Sequence, residues 1–132
     1  MTITYLIDTD WIINYLCGQE QTVERLKELR PYGIAVSVIS LAELYEGVYH
    51  SKNPQNSQSG LDSFLEDITI LGIHDDVCKI FGYERGRMRR EGNIIGDFDL
   101  LIASTALHYN LSLITNNTRH FERVEGLGII SL

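Results

Sequence analysis

The stretch Tyr5-Leu6-Ile7-Asp8-Thr9-Asp10-Trp11 decides how this chain is read. Residues 2–7 alternate and then run apolar, which describes a buried strand, and Asp8 ends the run. A carboxylate at the edge of a core-forming segment is costly to desolvate unless something pairs with it. The same pattern recurs twice. Glu43 lies inside Ser40-Leu41-Ala42-Glu43-Leu44-Tyr45, and Asp97 and Asp99 open Asp97-Phe98-Asp99-Leu100-Leu101-Ile102-Ala103. Carboxylates that converge on one point repel one another, and a divalent cation with oxygen ligands relieves the repulsion. The pattern therefore predicts a metal-dependent active site.

Working outward, Thr9 or Asp10 can cap a short helix over Trp11–Leu16, with Gly18 as its stop. Val23, Leu26 and Leu29 give Thr22–Leu29 helical spacing, and Pro31 and Gly33 break the chain before the short strand Ile34–Val36. Ser37 or Ser40 caps a helix that places Leu41, Leu44, Tyr45 and Val48 on one face. The polar, breaker-rich residues 51–60 read as a surface loop, followed by a helix over Leu61–Asp67 and a strand over Ile68–Leu71. Asp75 or Asp76 starts a longer helix that buries Val77, Ile80, Phe81 and Met88 and ends at Gly92. Asp97 or Asp99 caps the next helix, which ends near Tyr109-Asn110. Leu111–Ile114 and Gly128–Leu132 are the last strands.

Strands alternating with helices predict an α/β fold, a short parallel sheet of four to five strands with helices on both faces. In such a sheet the active crevice lies at the carboxyl ends of the strands. Asp8 follows the first strand directly, and Thr115-Asn116-Asn117 follows the strand Leu111–Ile114 in the same way. Glu43 and Asp99 sit in early turns of helices whose starts can face that edge.

The 132 residues suffice for one domain with its own core, taken as residues 1–132. The hydrophobic share of 44% fits a globular chain, and no apolar run reaches the length of a membrane span. Residues 1–16 lack a basic leader, so a cytoplasmic location is expected. The formal charge of −7 argues against a general nucleic-acid binder. Cys17 and Cys78 stand far apart and are expected to be reduced, partly buried thiols. His50, His74, His108 and His120 show no paired ligand spacing, which argues against a zinc site. Lys79, Arg85, Arg87, Arg89 and Arg90 form the one basic cluster, in which Arg85 and Arg89 share a helix face and can contact phosphates. Trp11, Tyr45 and Tyr49 are read as packing residues rather than base-stacking ones.

Four stretches resemble the PIN-domain family and, within it, the VapC-type toxins of toxin–antitoxin pairs. They are residues 5–10, 40–44, 95–103 and 113–121 (Leu-Ile-Thr-Asn-Asn-Thr-Arg-His-Phe), and their order covers nearly the whole chain. The resemblance implies a metal-dependent endoribonuclease that hydrolyses RNA phosphodiesters with Mg²⁺ or Mn²⁺. It matches Asp8, Glu43 and Asp99 to the principal metal-site acids, with Asp97 as an additional carboxylate and Asn117 orienting a ligand. It also implies a homodimer and a cognate VapB-type antitoxin. The chain departs from the family pattern in its last motif, where Asn117 occupies one position and His120 stands where look-alikes are often acidic.

Two other readings compete. Asp8-Thr9-Asp10 mimics the Asp-x-Asp signature of haloacid-dehalogenase-like phosphatases, in which Asp8 would be the nucleophile. A receiver-like interaction module would bind Mg²⁺ at Asp8 and Asp10 without hydrolysis. Formation of an intermediate at Asp8 would mark the phosphatase, and Glu43 separates a nuclease from the interaction module, which has no special use for it.

Overall fold

The computed structural model describes residues 2–131. Its elements run β1 (Tyr5–Ile7), α1 (Thr9–Leu16), α2 (Glu20–Leu29), a 3₁₀ turn (Arg30–Tyr32), β2 (Ile34–Ser37), α3 (Val38–Tyr49), α4 (Pro54–Leu65), β3 (Thr69–Leu71), α5 (Asp75–Glu91), α6 (Asp97–His108), β4 (Ser112–Ile114), α7 (Thr118–Phe121) and β5 (Ile129–Ile130). The five strands form one sheet in the order β3-β2-β1-β4-β5. Every pairing is parallel, with Leu6 opposite Ala35 on one side and Leu113 on the other.

The pleat of these strands divides the core. Leu6, Ala35 and Leu113 point to one face, where they pack with Met88, Leu100, Ile102, Ala103, Ala106 and Phe121 from α5, α6 and α7. Their neighbours Ile7, Val36 and Ile114 point to the other, against Trp11, Ile12, Leu26, Leu44, Leu61 and Phe64 from α1 to α4. Successive side chains of a strand alternate between faces, so strands covered on both sides read as apolar throughout.

The chain leaves β1 in one direction, through β2 to β3, and returns by α5 and α6 to place β4 on β1's other flank. Right-handed crossovers then put α1–α4 on one face and α5–α7 on the other. The connections part between β1 and β4, and it is at such a reversal, beyond the carboxyl ends of the strands, that an open parallel sheet forms a crevice.

Several local expectations are corrected. Residues 51–60 are not a loop, because α4 begins at Pro54 and runs through Gly60. Asn53 caps it by accepting from the Asn56 amide (3.2 Å), and Pro54 occupies a first-turn position where its missing N–H costs nothing. The same Asn-Pro pair that suggests a break is thus a helix start. The cap of α1 is Asp8, not Thr9 or Asp10, and that of α6 is Gly96, leaving Asp97 and Asp99 inside the first turn. Both cysteines are exposed free thiols rather than partly buried ones. The end of the last predicted strand, Leu132, lies outside the described residues.

Gly33 joins the 3₁₀ turn to β2 at φ +88°, and its carbonyl accepts from the Thr4 and Tyr5 amides (2.9 and 3.1 Å), starting the β1–β2 register. A Cβ there would lie 2.1 Å from the Thr2 carbonyl oxygen. Both the backbone angle and the clash oppose a side chain, so Gly33→Ala should cost about 2 kcal/mol or more in urea unfolding.

Candidate active site

Asp8 leaves β1 at the crevice and is 4% exposed. Its backbone N–H donates to Ile114 O of β4 (2.9 Å), which fixes where the chain turns out of the sheet. Its side chain then does two things. Oδ1 accepts from the Thr9 amide (2.9 Å) and so caps α1, while Oδ2 accepts from Thr115 Oγ1 (2.8 Å) at the end of β4. The Asn117 amide donates in turn to Thr115 Oγ1 (3.0 Å). A relay from Asn117 through Thr115 to Asp8 therefore ties together the ends of the two central strands.

These hydrogen bonds favour the carboxylate, yet the Asp8 carboxyl is pushed up to about 6 from its ordinary 3.8. Burial is the main cause, with the negative charges of Asp99 and Asp10 adding to it. The repulsion from Asp99 shows that these two carboxylates, 91 positions apart in the chain, act on one another across the crevice.

Glu43 reaches the site from the second turn of α3. Thr9 Oγ1 lies 2.7 Å from Glu43 Oε1 and 2.8 Å from Ser40 Oγ. A hydroxyl has one proton, so Thr9 donates to the carboxylate and accepts from Ser40. Thr9 thus holds Glu43 through its side chain and Asp8 through its amide. Glu43 also shares a hollow with Gly96, Asp97, Phe98 and Asp99 at the start of α6, while Asp8, Asp10, Thr115, Asn116 and Asn117 line a second one.

Asp99 is half-buried and paired with His120, whose Nε2 lies 2.8 Å from Asp99 Oδ2. Against an ionised carboxylate this nitrogen carries the proton and donates. His120 comes from α7, a single turn that no sequence pattern announced. The available clue was its position, since look-alikes often carry an acid there.

Asp97 lines the same hollow as Glu43 and Asp99 but is already engaged. Its side chain is 69% exposed and paired with Arg85 of α5. Arg85 is itself largely enclosed, with its guanidinium over the Phe81 ring (5.5 Å), whereas Arg89 is exposed. Arg87 is also committed elsewhere. It donates to Glu84 (2.6 Å), Glu91 (2.6 Å) and Arg123 O (2.9 Å), joining α5 to the C-terminal segment. Trp11 is 2% exposed and packs in the core, and Tyr45 stacks on Tyr49 at a centroid distance of 6.1 Å.

The structure therefore brings Asp8, Glu43, Asp99 and Asn117 to one edge of the sheet and adds Thr9, Thr115 and His120 as their hydrogen-bond partners. The donor set facing the crevice is carboxylate oxygen, which suits hard divalent cations such as Mg²⁺ or Mn²⁺. The raised Asp8 carboxyl reflects the same chemistry, because a cation there would offset the neighbouring negative charges.

Comparison with known proteins agrees with this geometry. The PIN domain model matches residues 5–127. Ribonuclease VapC2 of Rickettsia felis is 43% identical over 94 residues, which is 71% of this chain and 70% of that protein. The tRNA(fMet)-specific endonuclease VapC of Shigella flexneri is 30% identical over 125 residues, 95% of each chain. The crystal structure of VapBC2 from Rickettsia felis bound to a DNA fragment from its promoter contains a chain that superposes with a TM-score of 0.92 at 33% identity, covering 98% of this chain and 99% of that one. From strand order, acidic edge and sequence alike, this chain belongs to the PIN-domain family, among its VapC-type members.

Proposed function

We propose that the protein is an endoribonuclease and the toxin of a toxin–antitoxin pair, cutting RNA by hydrolysis with a divalent ion, Mg²⁺ or Mn²⁺. The observation that carries this reading is the gathering of Asp8, Glu43 and Asp99 at one end of the sheet, tied together through Thr9 and a shared hollow, where a cation would relieve their mutual repulsion. The ion would supply an activated water and neutralise charge on the phosphate. The VapC relatives named as ribonucleases support the substrate class.

Asp8, Glu43 and Asp99 are the residues proposed to hold the ion. Thr115 and the Thr9 amide occupy defined lone pairs of Asp8 and leave the others facing the crevice. Thr9 sets the rotamer of Glu43, and His120 that of Asp99. Such outer partners typically change metal affinity or activity by about 10- to 100-fold when removed. Asn117, beside Asp8 in the same hollow, is assigned to orient the RNA phosphate or the attacking water. Asp97 and Arg85 neutralise one another, so Asp97 is a supporting carboxylate at the rim and Arg89 the freer phosphate contact of the pair Arg85 and Arg89.

The partner follows from the same charges. A basic antitoxin segment entering the acidic crevice would offset part of the −7 charge and block access to Asp8 and Glu43. The VapBC assemblies among its structural neighbours support an antitoxin as that partner, and the toxin itself is proposed to be a homodimer. The interaction-module reading gives no role to Glu43, which lines the same hollow as Asp99.

Purified protein incubated with total RNA and Mg²⁺ or Mn²⁺ should yield discrete fragments with 5′-phosphates, and none in EDTA. Asp99→Asn and Glu43→Gln should each reduce the cleavage rate about a hundredfold or more, since each removes a charged group from the ion's surroundings. Intact RNA with turnover of small phosphate esters would instead favour the phosphatase.

Asp8 generates a separate prediction. Its folded-state pKa, about 6, lies above the unfolded value of 3.8, so the folded state binds the extra proton in between. Its contribution to stability is present below pH 3.8, declines as pH rises through 6, and amounts to a loss of about 3 kcal/mol at neutral pH. In EDTA, Asp8→Asn should therefore be more stable than the parent protein in urea at pH 7.5 and should lose that advantage at pH 4. Mg²⁺ should stabilise only the parent protein.

A further inference from the structure

We propose a second metal site, for a borderline transition ion such as Zn²⁺, formed by His74, Asp76 and His108. Each offers a ligand atom, and these atoms lie within 4.8 Å of one another. His74 is the residue that precedes α5 and Asp76 lies in that helix's first turn, while His108 is the last residue of α6. The two histidines are 34 positions apart, so the ligand spacings typical of zinc motifs along a chain could not reveal them. They meet because α5 and α6 pack side by side and bring the start of one to the end of the other.

Three observations give the group the character of a site rather than a coincidence of surface residues. First, the rings are already ordered. His74 and His108 meet edge to face at a centroid distance of 4.6 Å, and Tyr109 packs edge-on against both, at 5.9 and 4.7 Å. Second, Tyr109 Oη lies 3.2 Å from His74 Nε2. When Nε2 donates to the phenol, Nδ1 carries the free lone pair, and a fixed tautomer of this kind is what a ligating histidine requires. Third, the amide end of α5 and the carbonyl end of α6 meet here, so their dipoles offset one another and Asp76 supplies the negative charge for a cation.

Two imidazoles and one carboxylate, with the remaining position open to water, match the donor set of zinc and exclude Mg²⁺, which prefers an all-oxygen shell. Lys79 leans on Asp75 (3.2 Å) and more loosely on Asp76 (3.9 Å), so Asp76 can turn to an ion while Lys79 keeps Asp75. The site lies at the opposite end of α6 from Asp99. His108 is nine positions after Asp99, and at the rise of an α-helix this is about 14 Å along the axis. The ion would clip α5 to α6 without entering the acidic crevice.

The test uses protein without a polyhistidine tag, at pH 7.5, with millimolar Mg²⁺ present to satisfy the carboxylate site. Titration calorimetry with Zn²⁺ should show one equivalent bound. Cu²⁺ in its place should give an electron paramagnetic resonance spectrum with hyperfine splitting from imidazole nitrogen. His108→Ala and His74→Ala should each weaken Zn²⁺ binding by about tenfold or more, whereas Asp99→Asn should leave it unchanged. Far-ultraviolet circular dichroism confirms that the variants are folded, and both histidines sit at helix ends where alanine is tolerated. Absence of micromolar Zn²⁺ binding, binding that survives both histidine substitutions, or binding lost with Asp99→Asn would each overturn the proposal.

Discussion

Like charges held where water is scarce are the constraint on which the rest of this structure depends. Asp8 is buried at the end of the central strand, and Asp99 and Asp10 act on it with the same sign. Left alone, these groups would separate or take up protons. They stay because the fold over-determines their positions. The Asp8 main chain is fixed by Ile114, its two oxygens by Thr9 and Thr115, Glu43 by Thr9, and Asp99 by His120. The stability lost to this arrangement is recovered in the two cores beneath it, and the proposed cation would meet carboxylates already held in place.

The sheet serves this end by its order. Reversal of direction between β1 and β4 leaves the chain leaving β1 and the chain leaving β4 to diverge, and the gap they enclose receives Asp8 from one and Thr115 with Asn117 from the other. The helices α3 and α6 then present Glu43 and Asp99 with their early turns. Four distant segments meet through nothing more elaborate than parallel pairing and the pleat, which sends Leu6 to one core and Ile7 to the other.

Most of this was legible in the sequence, for a physical reason in each case. Strands covered on both faces have to be apolar, so β1, β2 and β4 stood out, and Asp8 at the edge of β1, like Glu43 and Asp99 within apolar helical stretches, was conspicuous because carboxylates are rare beside such segments. What escaped depended on geometry between segments. The α4 start at Asn53-Pro54 uses the same residues as a turn, and only the bond from the Asn56 amide distinguishes the two. The cap on α1 went to Asp8 because one carboxylate serves both helix and crevice. His120 reaches Asp99 from a single helical turn too short to show any periodicity. Arg85 looked available for phosphate, but its ion pair with Asp97 joins two helices that sequence alone does not bring together.

The sheet's borders have a consequence of their own. β3 and β5 flank it with three and two residues, so the outermost strands expose only a few unpaired amides and carbonyls. Intermolecular strand addition needs a longer template than that. Although it is built around a two-sided apolar sheet, the protein offers neighbouring copies almost no ladder to extend, which protects it against fibre growth.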